Sequence, residues 1–319
     1  MFTLQNIYII LSVVKSINSH AIMERRDFIT KSALWGAATL LSTDIMAMAS
    51  SQHYKMGYQL FSVKQDMIKD PINTIKALKV MGFEHFEIYG FDDAKVSYYG
   101  IDAQSLRHIM DDLNLQMTSG HYVFAPYLLK PMDEMKRFVD QCIKGAQALG
   151  SPYITWPLIP KEMRTLENFK ILVKRLNIVG AQVHEAGLGF AYHNHGYEFD
   201  LYDGVMAYEL IANETDPKLV KLQMDMYWVM HSGKRTPKQL VESHKGRYTM
   251  WHLKDMHTVS RDYTELGNGS IDYTKIMPKP KDSGLEYVYI EQGSNFAQSP
   301  LQSAATSAEY YKKNLMTLL

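Results

Sequence analysis

From Tyr54 onward, short apolar runs of β-strand composition alternate with longer segments of helical periodicity, and this alternation limits the possible folds most strongly. The predicted strands cover residues 54–61, 85–90, 115–122, 152–157, 188–194, 220–226, 248–255 and 286–292. The predicted helices lie near residues 66–81, 103–113, 131–150, 166–186, 204–213, 236–244, 271–277 and 303–319. Eight strand–helix units in a chain of this length are typical of a closed (β/α)8 barrel, or TIM barrel.

A doubly wound open sheet is the competing α/β fold. Such a sheet usually carries a glycine-rich phosphate loop after an early strand, and the sequence contains neither GxGxxG nor GxxxxGK[ST]. No shift in composition marks a second domain. We therefore predict one α/β domain, a (β/α)8 barrel over residues 50–319.

Composition excludes several classes of protein. The 34 acidic and 34 basic residues balance, so no excess of positive charge favours nucleic acid or an anionic membrane surface. Cys142 is the single cysteine, which rules out an internal disulfide framework. The remaining expectation is an ordinary globular protein whose partner is a small molecule.

The N-terminal segment, residues 1–49, has the pattern of an export signal. Arg25 and Arg26 precede a mildly apolar run over 33–41, and Ala47 and Ala49 suit a signal peptidase site. This pattern predicts a twin-arginine signal, recognition by the twin-arginine export machinery, a periplasmic location and no lasting membrane anchor. Met23 is then a candidate for the true start. The alternative is a chance arginine pair before a buried helix.

Polar side chains end four consecutive predicted strands, the fifth to the eighth: His193, Asp225, His252 and Glu291. The carboxyl ends of barrel strands converge on one face, where the chemistry of this fold is found. Two imidazoles and two carboxylates suit one divalent ion such as Mn²⁺, Zn²⁺, Co²⁺ or Fe²⁺. Each residue alone also fits an ordinary polar strand end, but the four together favour a metal site.

The stretches "YHNHGYEF", "MDMYW", "WHLKD", "ELGNGSIDY" and "YIEQ" resemble the xylose isomerase-like barrel superfamily of sugar phosphate isomerases/epimerases, inosose dehydratases and ketose 3-epimerases. The resemblance implies a metal held by Glu, Asp, His and Glu after the fifth to eighth strands. Asp225, His252 and Glu291 match the last three positions, whereas His193 stands where the superfamily has its first Glu. Epimerisation by two opposed carboxylates is therefore in doubt.

The resemblance implies a metal-dependent enzyme that acts on a carbohydrate or keto-sugar through an enediolate, as an isomerase or epimerase does. A lyase that opens a keto-glycoside by β-elimination is the alternative on the same barrel. The candidates for acid and base are Glu291, His195 and Lys254. The candidates for substrate contact are Trp228, Glu198, Glu265 and His121. Two of these residues also have a purely structural interpretation. Lys254 could form a surface ion pair with Asp255, and Glu198 could be an ordinary carboxylate at the end of a loop.

Two further functions compete. A non-catalytic sugar-binding protein on a decayed barrel would explain the departure at His193, but the other three ligand positions are retained. An endonuclease of the abasic-site type needs more metal ligands, and Trp228 stands where that class has a histidine. The balanced charge also argues against a DNA channel. Export favours an unphosphorylated sugar or glycoside as the substrate.

Overall fold

The computed structural model describes residues 54–319, and its centre is a barrel of eight parallel strands. The strands are β1 (Met56–Gln59), β2 (His85–Ile88), β3 (Gln116–Gly120), β4 (Tyr153–Trp156), β5 (Gly189–His193), β6 (Lys221–Asp225), β7 (Met250–Leu253) and β8 (Tyr287–Ile290). Each lies inside one predicted strand. The predicted (β/α)8 fold is confirmed.

The barrel closes in chain order. Strand β1 pairs in parallel with both β2 and β8, and the neighbours from β4 to β8 pair in sequence. Between β3 and β4 the contact is a single parallel bridge of His121 with Thr155, supported by the Tyr122 N–H, which donates to the Thr155 carbonyl at 3.0 Å. The strand ends thus meet around one mouth.

Helices surround the barrel. They are α1 (Lys64–Lys69), α2 (Pro71–Val80), α3 (Ala103–Asp112), α4 (Met132–Leu149), α5 (Leu166–Glu185), α6 (Ala207–Glu214), α7 (Met226–Ser232), α8 (Pro237–Ser243), α9 (Tyr273–Ile276), α10 (Pro280–Ser283) and α11 (Pro300–Tyr310). Short hairpins extend the loops that follow β2, β5 and β7, all of them on the mouth side.

The boundaries of two helices differ from the predicted ones, because a proline and a hairpin turn interrupt the helical pattern. The helix predicted over 66–81 is two helices, because Pro71 lacks an N–H and Asp70 caps the second one by accepting from the Asn73 N–H at 3.1 Å. The helix predicted over 204–213 begins at Ala207. Asp203 and Gly204, both at positive φ, form instead the turn of a hairpin between residues 201–202 and 205–206.

The lower part of the barrel is filled by side chains. Tyr153, Ala191, Met250 and Tyr289 form a buried cluster between the strands. Side chains on a strand alternate between its two faces. The residues two positions after Ala191, Met250 and Tyr289 therefore also point inward, one layer closer to the mouth. These residues are His193, His252 and Glu291, so the packed lower layer supports the candidate site from below.

No helix among residues 54–319 has both the length and the apolar composition to cross a bilayer. The predicted twin-arginine signal, the domain boundary at residue 49 and the start at Met23 fall outside the described residues and stay predictions.

Gly57 tests how tightly the lower barrel is packed. A methyl group on its Cα would overlap the His85 ring and the Val288 carbonyl oxygen. We expect Gly57→Ala to lower the free energy of unfolding by about 2 kcal/mol, the usual cost of overpacking a core. Urea denaturation measures this change. Lys79→Ala, on the exposed side of α2, is the control, and its free energy of unfolding should stay within about 0.5 kcal/mol of wild type. An equally small effect of Gly57→Ala would contradict the packing described.

Candidate metal centre and active site

Four side chains from adjacent strand ends converge at the barrel mouth: His193, Asp225, His252 and Glu291. Asp225 is the last residue of β6 and pairs with His252 on the neighbouring strand β7, and Glu291 directly follows β8. All four are buried, with Glu291 the most exposed at 8%. Each offers one nitrogen or oxygen, and these donor atoms all lie within 4.8 Å of one another. The structure thus brings together the residues predicted to bind metal.

The spacing of the donors fits a divalent ion. Nε2 of His193 lies 3.6 Å from Oδ2 of Asp225, which is too long for a good hydrogen bond. Two bonds of about 2.1 Å from one ion would span this gap, as expected for nitrogen and oxygen ligands of zinc. The mixed nitrogen and oxygen set also matches the preference of transition metals over Mg²⁺ or Ca²⁺. The cluster is therefore a chemically suitable site for such an ion.

Lys254 brings a positive charge to the same carboxylates. Its Nζ lies 2.6 Å from Oδ2 of Asp225 and 2.9 Å from Oε2 of Glu291, and the side chain is 3% exposed. Burial alone would lower the pKa of Lys254, but the two carboxylates outweigh burial and raise it. The ammonium group is therefore charged at neutral pH, and Lys254 points into the site rather than pairing on the surface with Asp255.

Glu87, at the end of β2, lies at the centre of a polar layer just below the cluster. It is fully buried, and its carboxylate accepts hydrogen bonds of 2.6 Å from the side-chain amides of Gln59 and Gln223. Its Oε2 also lies 2.6 Å from Nε2 of His252. Burial opposes a charged imidazole, but the carboxylates of Glu87 and Glu291 prevail and raise the pKa of His252 to about 9.

Gln223 completes this layer and was not among the predicted site residues. Its Oε1 accepts from Nδ1 of His193 at 2.8 Å and from Nε2 of His121 at 2.7 Å. His121 was predicted to contact substrate, but this nitrogen is occupied below the cluster. The sequence held a usable signal for Gln223, because it lies two residues before Asp225 on β6 and therefore faces the same way.

Comparisons with known proteins agree with this fold. No family model matches the chain. The crystal structure of a sugar phosphate isomerase/epimerase from Parabacteroides distasonis superposes with a TM-score of 0.72 at 23% identity, over 84% of this chain and 96% of that one. The structure of the IolI protein with a bound zinc atom gives 0.67 at 14% identity, over 83% and 99%. The chain has the xylose isomerase-like barrel fold.

Curated sequences also resemble this xylose isomerase-like barrel. An inosose dehydratase of Clostridium botulinum is 26% identical over 278 residues, which cover 75% of this chain and 88% of that protein. An inosose dehydratase of Clostridium perfringens is 27% identical over 260 residues, covering 70% and 86%. Each alignment thus covers at least 70% of this chain and 86% of the relative.

His195 lies beside the cluster with a free ring nitrogen. Its ring centroid is 5.0 Å from that of His193 and 5.6 Å from that of Trp228, and it stacks on Tyr197. Nδ1 of His195 is buried without a hydrogen-bond partner in the described chain. Burial and the nearby ammonium of Lys254 lower the pKa of His195 to about 3. The imidazole is therefore neutral at pH 7, and it packs between the rings of His193, Tyr197 and Trp228.

Glu198 faces away from the metal cluster. It is fully buried, and its carboxylate accepts 2.8 Å hydrogen bonds from the Tyr192 hydroxyl and from the His195 N–H. Burial raises the pKa of Glu198 to about 7, although the Tyr192 hydroxyl opposes this shift. In the structure, Glu198 therefore holds the loop that carries His195; its predicted contact with substrate stays a prediction.

The loop 265–272 is pinned at both ends. Asp255 is buried, and its carboxylate accepts from four backbone N–H groups, those of Met256, Gly267, Gly269 and Ile271. Glu265 accepts from the Ser303 hydroxyl and from the Ala297 N–H. These bonds occupy the Glu265 carboxylate within the scaffold, and its predicted role in substrate contact remains untested.

Glu198 gives a pH-dependent test of this arrangement. Its folded pKa of about 7 exceeds the ordinary value of 4.5. Protonation therefore favours the fold below pH 4.5, and this contribution is lost as the pH rises through about 7. Relative to Glu198→Gln, wild type should lose about 3 kcal/mol of unfolding free energy between these pH values. Urea denaturation from pH 4.5 to pH 8 measures the difference; parallel profiles would contradict the assignment.

Proposed function

We propose that the protein is a metal-dependent enzyme that removes a proton beside the carbonyl group of a keto-sugar, a keto-glycoside or an inosose. The observation that carries the proposal is the buried cluster of His193, Asp225, His252 and Glu291, with the charged Lys254 against its two carboxylates. The zinc atom in the IolI structure and the inosose dehydratases among the relatives support the same class.

The four cluster residues would hold one divalent ion, with Mn²⁺, Zn²⁺, Co²⁺ and Fe²⁺ as candidates. When bound, such an ion polarises a substrate carbonyl and acidifies the neighbouring C–H. His193 and His252 are arranged for this role, since each directs one nitrogen to the cluster and the other to Gln223 or Glu87. Outer partners of this kind fix the orientation of imidazole ligands.

Lys254 and His195 are the groups placed to handle charge and protons. The Lys254 ammonium stabilises negative charge that develops on the substrate oxygen. His195 takes up the proton at Nδ1, which has no hydrogen-bond partner among residues 54–319. Its low pKa keeps the imidazole neutral in the free enzyme, and the negative charge of the bound intermediate raises that pKa during the reaction. Glu291 is the second candidate base.

The arrangement favours elimination over epimerisation. Epimerisation by proton exchange on both faces of a ketose needs two opposed bases, and here Glu291 is the one cluster carboxylate left of the superfamily's pair. One base and one acid suffice to remove a proton and expel a β-leaving group, as in a dehydratase or lyase. An isomerase or epimerase is the second candidate, supported by the Parabacteroides structure. The N-terminal arginine pair supports an exported enzyme with an unphosphorylated substrate.

The decisive experiment joins metal analysis with isotope exchange. Metal-loaded protein is incubated in D₂O with inosose, 3-keto-glycosides and free ketoses, and deuterium uptake and products are followed by mass spectrometry. We expect deuterium beside the carbonyl and loss of the β-substituent. Glu291→Gln and Asp225→Asn should lose the ion and reduce exchange by at least about 100-fold, since both carboxylates bind it.

Glu286→Gln is the matched control for Glu291→Gln, because Glu286 lies at the opposite end of β8 and is exposed. It should retain both metal and exchange. Tight sugar binding without exchange would favour the non-catalytic alternative. Absence of metal in wild type together with unchanged activity of the Asp225 variant would refute the proposed function.

Lys254→Met tests the charged group separately from the ion. We expect the ion to remain bound, because the substitution removes a positive charge from its surroundings. The kcat should fall by about 10²–10³, as when one preorganised donor to a developing oxyanion is lost. Steady-state kinetics and metal analysis check both expectations. Lys221→Met, at the other end of β6, is the control, and a fall in kcat of the same size there would contradict the role of Lys254.

A further inference from the structure

Gln223 occupies a position that the metal cluster alone does not explain. It lies on β6, fully buried, below His193 and two residues before the candidate ligand Asp225. A buried carboxamide is costly unless its polar atoms find partners. Here both ends are engaged, by a carboxylate on one side and by imidazoles on the other.

The orientation of the carboxamide follows from its neighbours. The Glu87 carboxylate already accepts from Gln59, and a carboxylate can only accept. The NH₂ group of Gln223 must therefore face Glu87, at 2.6 Å from its Oε1. The carbonyl oxygen then faces the two imidazoles. Glu87 thus determines which end of Gln223 reaches His193.

This orientation determines the proton position on His193. The Gln223 carbonyl oxygen can only accept, so Nδ1 of His193 carries the hydrogen at the 2.8 Å contact. A neutral imidazole has one N–H and one lone pair. The lone pair is therefore on Nε2, the nitrogen that faces Asp225 in the cluster.

We propose that Gln223 is a positioning residue that makes His193 a competent metal ligand at the position where the superfamily has a glutamate. The inference rests on the proposed function, because it assumes that the cluster binds an ion. A carboxylate ligand has two equivalent oxygens and needs no partner to choose between tautomers. An imidazole does need one, and Gln223 supplies it.

A second arrangement of the same residues gives a different expectation. His121, His193 and His252 also have donor atoms within 4.8 Å of one another, on the side of Glu87. If a second ion were bound there, Nδ1 of His193 would be a ligand rather than a donor to Gln223. Nδ1 of His193 and Nε2 of His121 instead form direct hydrogen bonds with Oε1 of Gln223, at 2.8 and 2.7 Å, which favours a single ion above the layer.

A double-mutant cycle on the full chain tests the proposal through Co²⁺ binding. The Kd for Co²⁺ is measured by competition with a chromophoric chelator, and the visible Co²⁺ spectrum reports the ligand set. Gln223→Met keeps the length of the side chain but cannot accept from His193. We expect it to weaken Co²⁺ binding at least about tenfold, the usual effect of losing an outer partner of a metal-bound histidine.

The same substitution is then made in His193→Glu, where residue 193 needs no fixed tautomer. Gln223→Met should change the Kd there by less than about twofold, although both backgrounds lose the same contacts of Gln223 with Glu87 and His121. An equal loss of affinity in the two backgrounds would show that Gln223 is general scaffold and would overturn the inference alone. Two Co²⁺ ions per chain would also overturn it. No Co²⁺ binding by wild type would overturn the proposed function as well.

A measurement on the wild-type protein keeps the proposal testable if a variant fails to fold. Long-range ¹⁵N–¹H spectra of histidine-labelled, metal-free protein distinguish the two neutral tautomers, with His193 assigned by comparison with His193→Gln. We expect the hydrogen of His193 on Nδ1. A hydrogen on Nε2 alone would overturn the inference.

Discussion

Three carboxylates buried close together at one end of the barrel are the constraint on which this structure depends. Glu87, Asp225 and Glu291 bring three negative charges into an interior where an unpaired charge is very costly. Lys254 supplies one positive charge, and the side chains of Gln59 and Gln223 supply neutral donors. In the metal-free protein His252, whose pKa is raised to about 9, supplies a second positive charge. With His252 as a neutral ligand, one divalent cation would balance the two negative charges that Lys254 leaves. The closed barrel makes this concentration possible, because it directs consecutive strand ends to one point.

The barrel and the four cluster residues could be predicted because their signals are periodic. Strands and helices alternate along the chain, and a polar residue ends each strand from the fifth to the eighth. The split at Pro71 and the hairpin turn at Asp203–Gly204 also had local signals, in Asp-Pro and Asp-Gly, but a coarse helical pattern concealed them. The start of α11 at Pro300 rather than at residue 303 is a similar boundary difference.

The contacts between residues far apart in the chain could not be predicted from the sequence. The sequence around Glu198 does not show that its carboxylate contacts Tyr192 and the backbone of His195 rather than the barrel mouth. Glu265 likewise finds its partners in the chain near residues 297 and 303. Gln223 could have been predicted, because strand alternation places it on the inner face of β6. An amide in an apolar run is a weaker signal of a metal site than a histidine or a carboxylate, since it is not itself a usual ligand.

The tethering of Asp255 has a consequence for the rim of the barrel mouth. Opening the loop that it holds would strip a buried carboxylate of three backbone donors, those of Gly267, Gly269 and Ile271, and Lys254 is its immediate neighbour in the chain. That side of the mouth therefore acts as a rigid wall, against which the charged end of Lys254 keeps a constant position. The hairpins after β2 and β5 lie outside this tether, so that changes in their length or sequence would leave the wall and the position of Lys254 undisturbed.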